Sequence, residues 1–486
     1  MIVAALLVLL AATVALMAAP DRFRGRSAAG LGAAASALTF VLLALAWDGK
    51  ASTSGEVDVA WIDVLNARFH LGLDGVSWPL ALLTAFLTVL CCWWLARSGA
   101  GPAPSARFVA LLLVVEGSSI GVFASLDLLL FFVFFELALI PMWFVIAYWG
   151  DPKDQAGRRR AATRFLLFTV TGSAVLLVGI VVVAIEAGSL QIADVQGTHS
   201  VLAASLIAIG LAVKVPIVPL HTWLPDAHGK APTVGSVLLA GVFLKLGTYG
   251  LIRLDVQMLP SATAEIAPYL AAAGVVGIIW AGLVCLVQDD LKRLVAYSSI
   301  GHMGFVVLAL ATMTEAGVTG AVFGSVAHGL VTGLLFFLAG GLKDVHGTAS
   351  LTALGRGLYE RTRWFAVALL VAGLATMGLP GLAGFWGEYL SLRGAYEEGA
   401  LDRSLAWTLL GVATIGIVLA TAYVARFVRM LLQGEPTPID TDRDLRARGV
   451  VVALVVPILV LGLWPTLLTD LLGSGVMGTS LLGVGR

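Results

Sequence analysis

Charged residues are scarce in this chain of 486 residues, because Asp, Glu, Lys and Arg together make up only 12% of the sequence. A soluble domain carries roughly 25% of such residues. Acidic and basic residues balance at 30 each, so no excess of positive charge indicates a nucleic-acid partner. Hydrophobic residues make up 59% of the chain, and the mean hydropathy is +0.96. This composition predicts a polytopic membrane protein of the all-α class.

Cysteine is also rare, with only Cys91, Cys92 and Cys285 in the whole chain. The first two are adjacent in a hydrophobic run and the third is far away. This spacing excludes both a disulfide framework and a four-thiolate set for a metal or an iron–sulfur cluster. No glycine-rich dinucleotide fingerprint follows a predicted strand, and no flavin site is visible. We therefore expect no metal and no redox cofactor bound by this chain.

Long apolar runs make up most of the sequence. Runs of about 17–25 apolar residues predict transmembrane helices. The sequence contains fourteen such runs. The first is followed rather than preceded by basic residues, so we interpret it as a retained helix and not as a cleaved signal peptide. The predicted spans are 1–19, 28–47, 76–96, 108–126, 128–149, 165–187, 201–221, 234–254, 271–288, 294–313, 318–342, 364–396, 407–434 and 450–471.

The distribution of lysine and arginine orients these spans. If the N-terminus faces outside, the loops on the cytoplasmic side carry 22 of the 30 basic residues and the opposite side carries 6. This asymmetry follows the positive-inside rule. With an even number of spans, both termini are predicted to lie outside.

The remaining two basic residues, Lys214 and Lys245, lie in the middle of predicted spans, whereas no arginine lies deep in a span. Buried lysine can lose its proton and arginine cannot, which favours a titrating role over a fixed charge. Ionisable residues are costly in hydrocarbon, and several on different helices favour a proton path. Structural ion pairs and hydrogen-bonded kinks are the alternative. The mid-span ionisable residues are Glu116, Glu136, Lys214, Lys245, His302, His328 and Glu388.

Individual members of this set have further interpretations. Glu136 is the natural partner for Lys214, because a carboxylate near an ammonium stabilises both charges. Glu116 lies in EGSS, where a hydrogen bond to a neighbouring small residue is nearly as good an explanation. His302 and His328 suit a proton shuttle, although axial ligation of a haem is an alternative.

Proline interrupts two of the predicted spans beside such charges. Pro216 and Pro219 follow Lys214, and each removes a helical hydrogen bond, which frees carbonyl groups near the lysine. In the twelfth span GLPGLAG, which contains Pro380, precedes Glu388. Broken helices at mid-depth commonly form the ion sites of transporters. His221, Asp226 and His228 follow the first break and are secondary candidates.

The two breaks lie five spans apart, which predicts two five-helix repeats, spans 4–8 and 9–13. Because five is odd, these repeats would have inverted topology. We therefore divide the chain into an N-terminal segment of three helices (1–107), a core of helices 4–13 (108–434) and a C-terminal helix 14 (435–486).

Four motifs resemble a known family, the antiporter-like membrane subunits. This family comprises subunits L, M and N of bacterial NADH-quinone oxidoreductase (respiratory complex I), Mrp-type cation/proton antiporter subunits and membrane-bound hydrogenase subunits. The resemblance covers nearly the whole chain and is strongest to the M type, in which the broken twelfth helix carries a glutamate rather than a lysine. The motifs are FFELALIPMWFVIAYWG (134–150), KVPIVPLHTWLPDAHGKAPT (214–233), LKRLVAYSSIGHMGF (291–305) and GFWGEYL (384–390).

The resemblance implies a role for each residue. Glu136 corresponds to the glutamate that modulates the helix 7 lysine, Lys214. Lys245 corresponds to the lysine that links the two half-channels, and His302 and His328 to the central polar axis. Glu388 corresponds to the terminal proton-exchange residue.

The same resemblance implies a proton-translocating translocase subunit in the bacterial cytoplasmic membrane, beside L and N neighbours and membrane lipids. NADH, FMN, iron–sulfur clusters and quinone would then be bound by partner subunits. Alternatives are an Mrp-type sodium/proton antiporter subunit, a haem-bearing subunit, and a scaffold in which the charges only hold helices together.

Overall fold

Most of the described part of the chain forms helices, because backbone amides and carbonyls in hydrocarbon must bond to each other. The computed structural model describes residues 1–18, 20, 23, 25–47, 53–97, 105–434 and 448–472. The N-terminal elements are α1 (Ile2–Ala18), α2 (Arg26–Ala46), β1 (Ser54–Ile62), a 3₁₀ turn (Asp63–Leu65), β2 (Ala67–Leu73) and α3 (Ser77–Arg97). The next are α4 (Ala106–Ala124), α5 (Leu128–Leu137), α6 (Leu139–Trp149), α7 (Gln155–Ala187), α8 (Ile192–Val195) and α9 (Val201–Lys214).

The eighth predicted span forms one continuous helix that contains two π-helical stretches. It runs through α11 (Thr233–Leu238), a π segment (Leu239–Phe243), α12 (Leu244–Gly250) and a second π segment (Leu251–Gln257), after the short α10 (Trp223–Lys230). The remaining helices are α13 (Pro260–Val287), α14 (Leu291–Thr312), α15 (Glu315–His346), α16 (Leu351–Leu354), α17 (Leu358–Arg361), α18 (Arg363–Thr376), α19 (Ala383–Tyr396), α20 (Arg403–Leu432), α21 (Arg448–Leu463) and α22 (Thr466–Leu472).

The helical, membrane-spanning character predicted from the sequence is confirmed. Within the described ranges ten helices are long and apolar enough to cross a membrane, and α21 with α22, bent by 69°, makes an eleventh. This is fewer than the fourteen predicted spans. The shortfall arises because α1, α9 and α18 are apolar but only 17, 14 and 14 residues long. The last two are short because the helical structure is interrupted after Lys214 and after Thr376.

A β-hairpin departs from the all-helical expectation. β1 and β2 pair antiparallel, with Val57 opposite Leu71 and Val59 opposite Phe69. The stretch that forms β1 alternates polar and apolar side chains, which is a strand pattern. Asn66 takes the left-handed conformation at the turn (φ 50°), a conformation that asparagine tolerates better than most residues.

An ion pair holds the end of this hairpin against the core. The Asp74 carboxylate, directly after β2, bonds the largely buried Arg253 guanidinium and also accepts from the amide of Ser77 at the start of α3. Burial acts to raise the pKa of Asp74, but the Arg253 charge and these hydrogen bonds outweigh it, so the pKa lies below its usual value. The carboxylate therefore stays charged and joins the hairpin, α3 and the end of the eighth span.

Glycine allows the helices around the site to approach closely. A Cβ placed on Gly387 of α19 would lie 2.6 Å from the Cα of Gly324 on α15, and one on Gly320 would lie 2.8 Å from the Cβ of Leu390. Neither distance is sterically possible without displacement of the backbone. The close contact lets Glu388 of α19 and His328 of α15 line the same small cavity.

Candidate functional site

The first break lies directly after Lys214, which is the last residue of α9, and regular helix resumes only at Trp223. Pro216 and Pro219 fall inside this break. The carbonyl of Ala212, expected to be free for water or for the lysine, instead accepts the amide of Ile217 at 2.9 Å. The indole of Trp223 donates to the neighbouring Val213 carbonyl at 3.0 Å. The chain therefore satisfies these two carbonyl groups itself.

Lys214 is buried, with 2% exposure, and its ammonium lies against aromatic rings. Nζ is 3.9 Å from the centroid of the Phe135 ring and 5.3 Å from that of Phe243, which are cation–π distances. In the described part of the chain Nζ has no hydrogen-bond partner, and neither does Oε1 of Glu136. Glu136 directly follows Phe135, whose ring contacts this ammonium, but the two charged side chains do not form the direct pair that the sequence suggests.

Lys245 lies in α12, between the two π-helical stretches, and is 1% exposed. Such stretches are rare and frequently occur at functional sites, since they disturb the regular backbone bonding. The Lys245 ammonium donates to the carbonyl of Ala240 in the preceding π segment at 2.7 Å. It also lies 2.5 Å from Nδ1 of His328 on α15. A proton on one of these two groups can therefore be shared directly with the other.

His302 continues the row towards α19. Its ring centroid is 5.9 Å from that of His328, and its Nε2 is 3.5 Å from Oε1 of Glu388. The two ring nitrogens also face carbonyl oxygens, Nδ1 that of Ser298 at 2.6 Å and Nε2 that of Thr376 at 3.1 Å. Carbonyls only accept, so the ring satisfies both contacts only when both nitrogens carry a proton. This geometry suits a charged imidazolium beside the Glu388 carboxylate.

The second break supplies one of these carbonyls. α18 ends at Thr376, whose carbonyl has no helical partner because the chain turns away at Gly378 (φ 68°) and passes through Pro380 before α19 begins. A Cβ on Gly378 would collide with the Glu388 carboxylate. Glycine at 378 therefore meets both a conformational and a spatial requirement of the site.

Two small cavities adjoin Glu388 and His302. One of about 30 Å³ is also lined by His328, Thr332 and Ser391. A second of about 20 Å³ lies on the other side, against Tyr423 of α20. Space of this size holds about one or two water molecules each, which is enough to bridge neighbouring polar groups. It is far too small for a haem, so these two histidines do not fit the alternative of haem ligation.

The secondary candidates do not join the row. Glu116 is fully buried and accepts the hydroxyl of Ser36 at 2.6 Å, a contact that joins α4 to α2. Asp226 pairs with Arg164 at 2.5 Å and Arg293 at 3.0 Å near the ends of their helices. His221 and His228 are buried in and after the first break, and each has at least one unpartnered ring nitrogen in the described structure.

Sequence reasoning missed several buried polar residues. Lys292, assigned to a loop, is 1% exposed in the first turn of α14. The sequence does contain a signal that the helix begins before Lys292, because an aspartate such as Asp290 just before an apolar run is typical of a helix N-cap. In the structure the Asp290 side chain accepts a hydrogen bond from the amide of Arg293. Asp255, at the end of the eighth span, is 1% exposed. No group of three or more metal-ligating side chains occurs in the ranges that the structure covers.

Comparison with known proteins gives consistent matches. The family described as NADH:quinone oxidoreductase/Mrp antiporter, TM matches residues 125–418. "NAD(P)H-quinone oxidoreductase chain 4 1" of Synechococcus sp. (strain JA-2-3B'a(2-13)) is 39% identical over 85% of this chain and 79% of its own. "NADH-quinone oxidoreductase subunit M" of Rickettsia bellii (strain RML369-C) is 34% identical over 89% and 87%. A chain of respiratory complex I from Thermus thermophilus superposes with a TM-score of 0.86 at 27% identity, over 99% of this chain and 100% of that one.

Proposed function

The chain belongs to the NADH:quinone oxidoreductase/Mrp antiporter family of transmembrane proteins, and on this basis we propose that it is a proton-translocating membrane subunit of an NADH:quinone oxidoreductase, respiratory complex I. The observation that carries the proposal is the row Lys245, His328, His302 and Glu388. Consecutive members touch or lie beside small water-sized cavities, and all lie between apolar helices, with Lys245, His328 and Glu388 buried and His302 partly buried. We call these four residues the central row.

The central row can pass protons because each member both binds and releases one. Lys245 shares a proton with His328 across their contact, and an imidazole can accept at one nitrogen while it releases from the other. His302 holds its proton between two carbonyls and the Glu388 carboxylate, so its charge and that of Glu388 stabilise each other. Transfer of the imidazolium proton to the Glu388 carboxylate neutralises both groups, and release of that proton from Glu388 restores the carboxylate for the next transfer.

Lys214 and Glu136 would feed this row from the side of the first break. Neither side chain has a hydrogen-bond partner for its buried polar atom, so each is free to change partner when charge arrives nearby. A carboxylate moving towards the ammonium raises the proton affinity of the lysine, and its departure lowers it. This change would drive the proton from Lys214 to Lys245.

For the architecture we propose what the sequence predicts. The chain would have fourteen spans, with inverted five-helix repeats in spans 4–8 and 9–13, and would divide into segments 1–107, 108–434 and 435–486. The similar interruptions after Lys214 and after Thr376 support the repeats. Each of the short helices α1, α9 and α18 would cross the membrane together with the residues adjacent to it in the chain. Both termini would face outside, which places the basic loops at the cytoplasmic face of a bacterial cell membrane.

Redox chemistry would belong to partner subunits that bind NADH, FMN, iron–sulfur clusters and quinone, with antiporter-like L and N subunits as neighbours. Large apolar side chains on α5 and α6 support a lateral contact next to Glu136, since Leu137 and Ile140 are 47% and 59% exposed. Lipid or a neighbouring helix would cover this surface. Conformational or electrostatic coupling through Glu136 would then bring the energy of electron transfer to this chain.

An Mrp-type sodium/proton antiporter subunit is the second candidate. The resemblance to that type predicts lysine where this chain has Glu388. The curated relatives carry NADH- or NAD(P)H-quinone oxidoreductase names, which favours the complex I subunit.

Replacement of Glu136 by alanine tests the proposal. We expect membrane vesicles with the assembled Glu136→Ala complex to show NADH-driven quinone reduction and internal acidification that fall together, by severalfold. Glu265→Ala is the matched control, because this exposed glutamate pairs only with His199 away from the site. An assembled Glu136→Ala complex that reduces quinone and pumps normally would remove Glu136 from the path.

A further inference from the structure

His228, which the central row does not use, lies between that row and the end of the bundle that carries the basic loops. It belongs to α10, is fully buried, and stacks on Phe336 of α15 with ring centroids 4.4 Å apart. Neither ring nitrogen has a hydrogen-bond partner in the described structure. A histidine that only filled the core would normally bond its N–H to a carbonyl or a hydroxyl.

A second buried lysine lies beyond this histidine. Lys292 donates from Nζ to the carbonyl of Ala231, at the end of α10, at 2.7 Å. Asp344 on α15 accepts the hydroxyl of Thr233 at 2.8 Å. Ala231 and Thr233 follow closely after His228 in the chain, so Lys292 and Asp344 both bond the segment directly after this histidine. We call His228, Lys292 and Asp344 the inlet cluster.

The inlet cluster reaches both water and the central row. Lys343, next to Asp344, pairs with Asp151 at 2.9 Å, and both side chains are partly exposed. On the inner side, His228 stacks on Phe336, which lies about two helical turns from His328 along α15. Ionisable groups therefore lie at intervals from the exposed end of the bundle towards His328, by a route that does not include Lys214.

We propose that the inlet cluster is a second proton inlet, in which His228 carries protons from Lys292 to His328 in parallel with the route through Lys214. This inference rests on the proposed function. A proton released by the Lys292 ammonium, directly or through water, binds one nitrogen of His228, and the other nitrogen releases a proton towards His328. Lys292 regains its proton from the side of Asp344, so the steps balance with no net charge left in the protein.

The test uses vesicles that contain the whole assembled complex. His228→Gln keeps a planar polar side chain but cannot carry a proton, and it should lower NADH-driven acidification about threefold. His199→Gln, at an exposed histidine that bonds Ser261, should leave the rate unchanged. Added to Lys214→Met, His228→Gln should abolish the residual acidification, because the two routes act in parallel. The proposal is overturned if His228→Gln pumps normally, or if it adds nothing to Lys214→Met.

Lys292→Arg provides a second variant that does not depend on the fit of glutamine beside Phe336. Arginine keeps the charge and can still donate to the Ala231 carbonyl, but it cannot release a proton. A purely structural Lys292 would therefore tolerate the change, whereas an inlet residue would not. Glu388→Gln separates this inference from the proposed function. If Glu388→Gln stops pumping while the His228 and Lys292 variants have no effect, only the second inlet is wrong.

Discussion

Replacement of Glu388 by glutamine should lower both acidification and coupled quinone reduction by about tenfold or more. Glutamine has nearly the size of glutamate and fits the same space beside Gly378, but it can neither bind nor release a proton. His302 would lose the carboxylate that lies 3.5 Å from its Nε2. Both cavities that adjoin Glu388 and His302 would also lose a carboxylate from their lining. The variant therefore interrupts the central row at its end, because it removes the carboxylate that can accept the proton of His302.

Glu397→Gln is the matched control for this experiment. Glu397 follows the same helix and pairs with Arg393 at 2.8 Å on its exposed surface. Exposed pairs of this kind contribute little, about 0–1 kcal/mol, so assembly and pumping should both be normal. Wild-type pumping by an assembled Glu388→Gln complex would show that the row ends before this residue.

Lys245→Met should lower both rates severalfold, because it interrupts the route from Lys214 and leaves only the second inlet to supply His328. Methionine matches the length of lysine and preserves most of the apolar contacts of α12. It removes the group that contacts His328 at 2.5 Å and the Ala240 carbonyl at 2.7 Å. Protons arriving from Lys214 would then have no acceptor before His328. Lys245→Arg should fail as well, because an arginine remains charged throughout the cycle.

Lys153→Met controls for the loss of a lysine as such. Lys153 lies in the exposed loop before α7 and donates to the Gly347 carbonyl at 3.2 Å. Its loss should not alter the rates measured in parallel by quinone reduction and by a vesicle pH probe. If Lys245→Met and Lys245→Arg both assemble and pump normally, the link between the two halves of the path must lie elsewhere.

Apolar runs predict most of the helices, because hydrocarbon leaves the backbone no other way to satisfy its hydrogen bonds. The same reasoning identifies Lys214, Lys245 and Glu388, since an ionisable residue in such a run is costly and conspicuous. It also places interruptions beside Lys214 and before Glu388, where proline removes helical hydrogen bonds. These features are local in the sequence, so they need no knowledge of how the helices pack.

Contacts between helices are the part that the sequence does not reveal. The rotation of each helix decides that Lys245 meets His328, whereas Lys214 faces Phe135 and does not touch Glu136. No local pattern encodes that rotation. Lys292 illustrates a different failure, because a lysine just before an apolar run resembles a loop residue, and only the fold shows that its ammonium donates to the Ala231 carbonyl. The hairpin was not predicted, because the hydrophobic composition led us to expect helices alone.

Lys214→Met provides the most direct test of whether the buried charges carry protons or only hold helices together. The measurement is NADH-driven acidification, together with quinone reduction, in vesicles whose complex is shown to be fully assembled. We expect both rates to fall together severalfold, with a remainder supplied by the second inlet. Normal rates in the assembled complex, with any defect confined to assembly, would contradict the account and identify Lys214 as a structural residue.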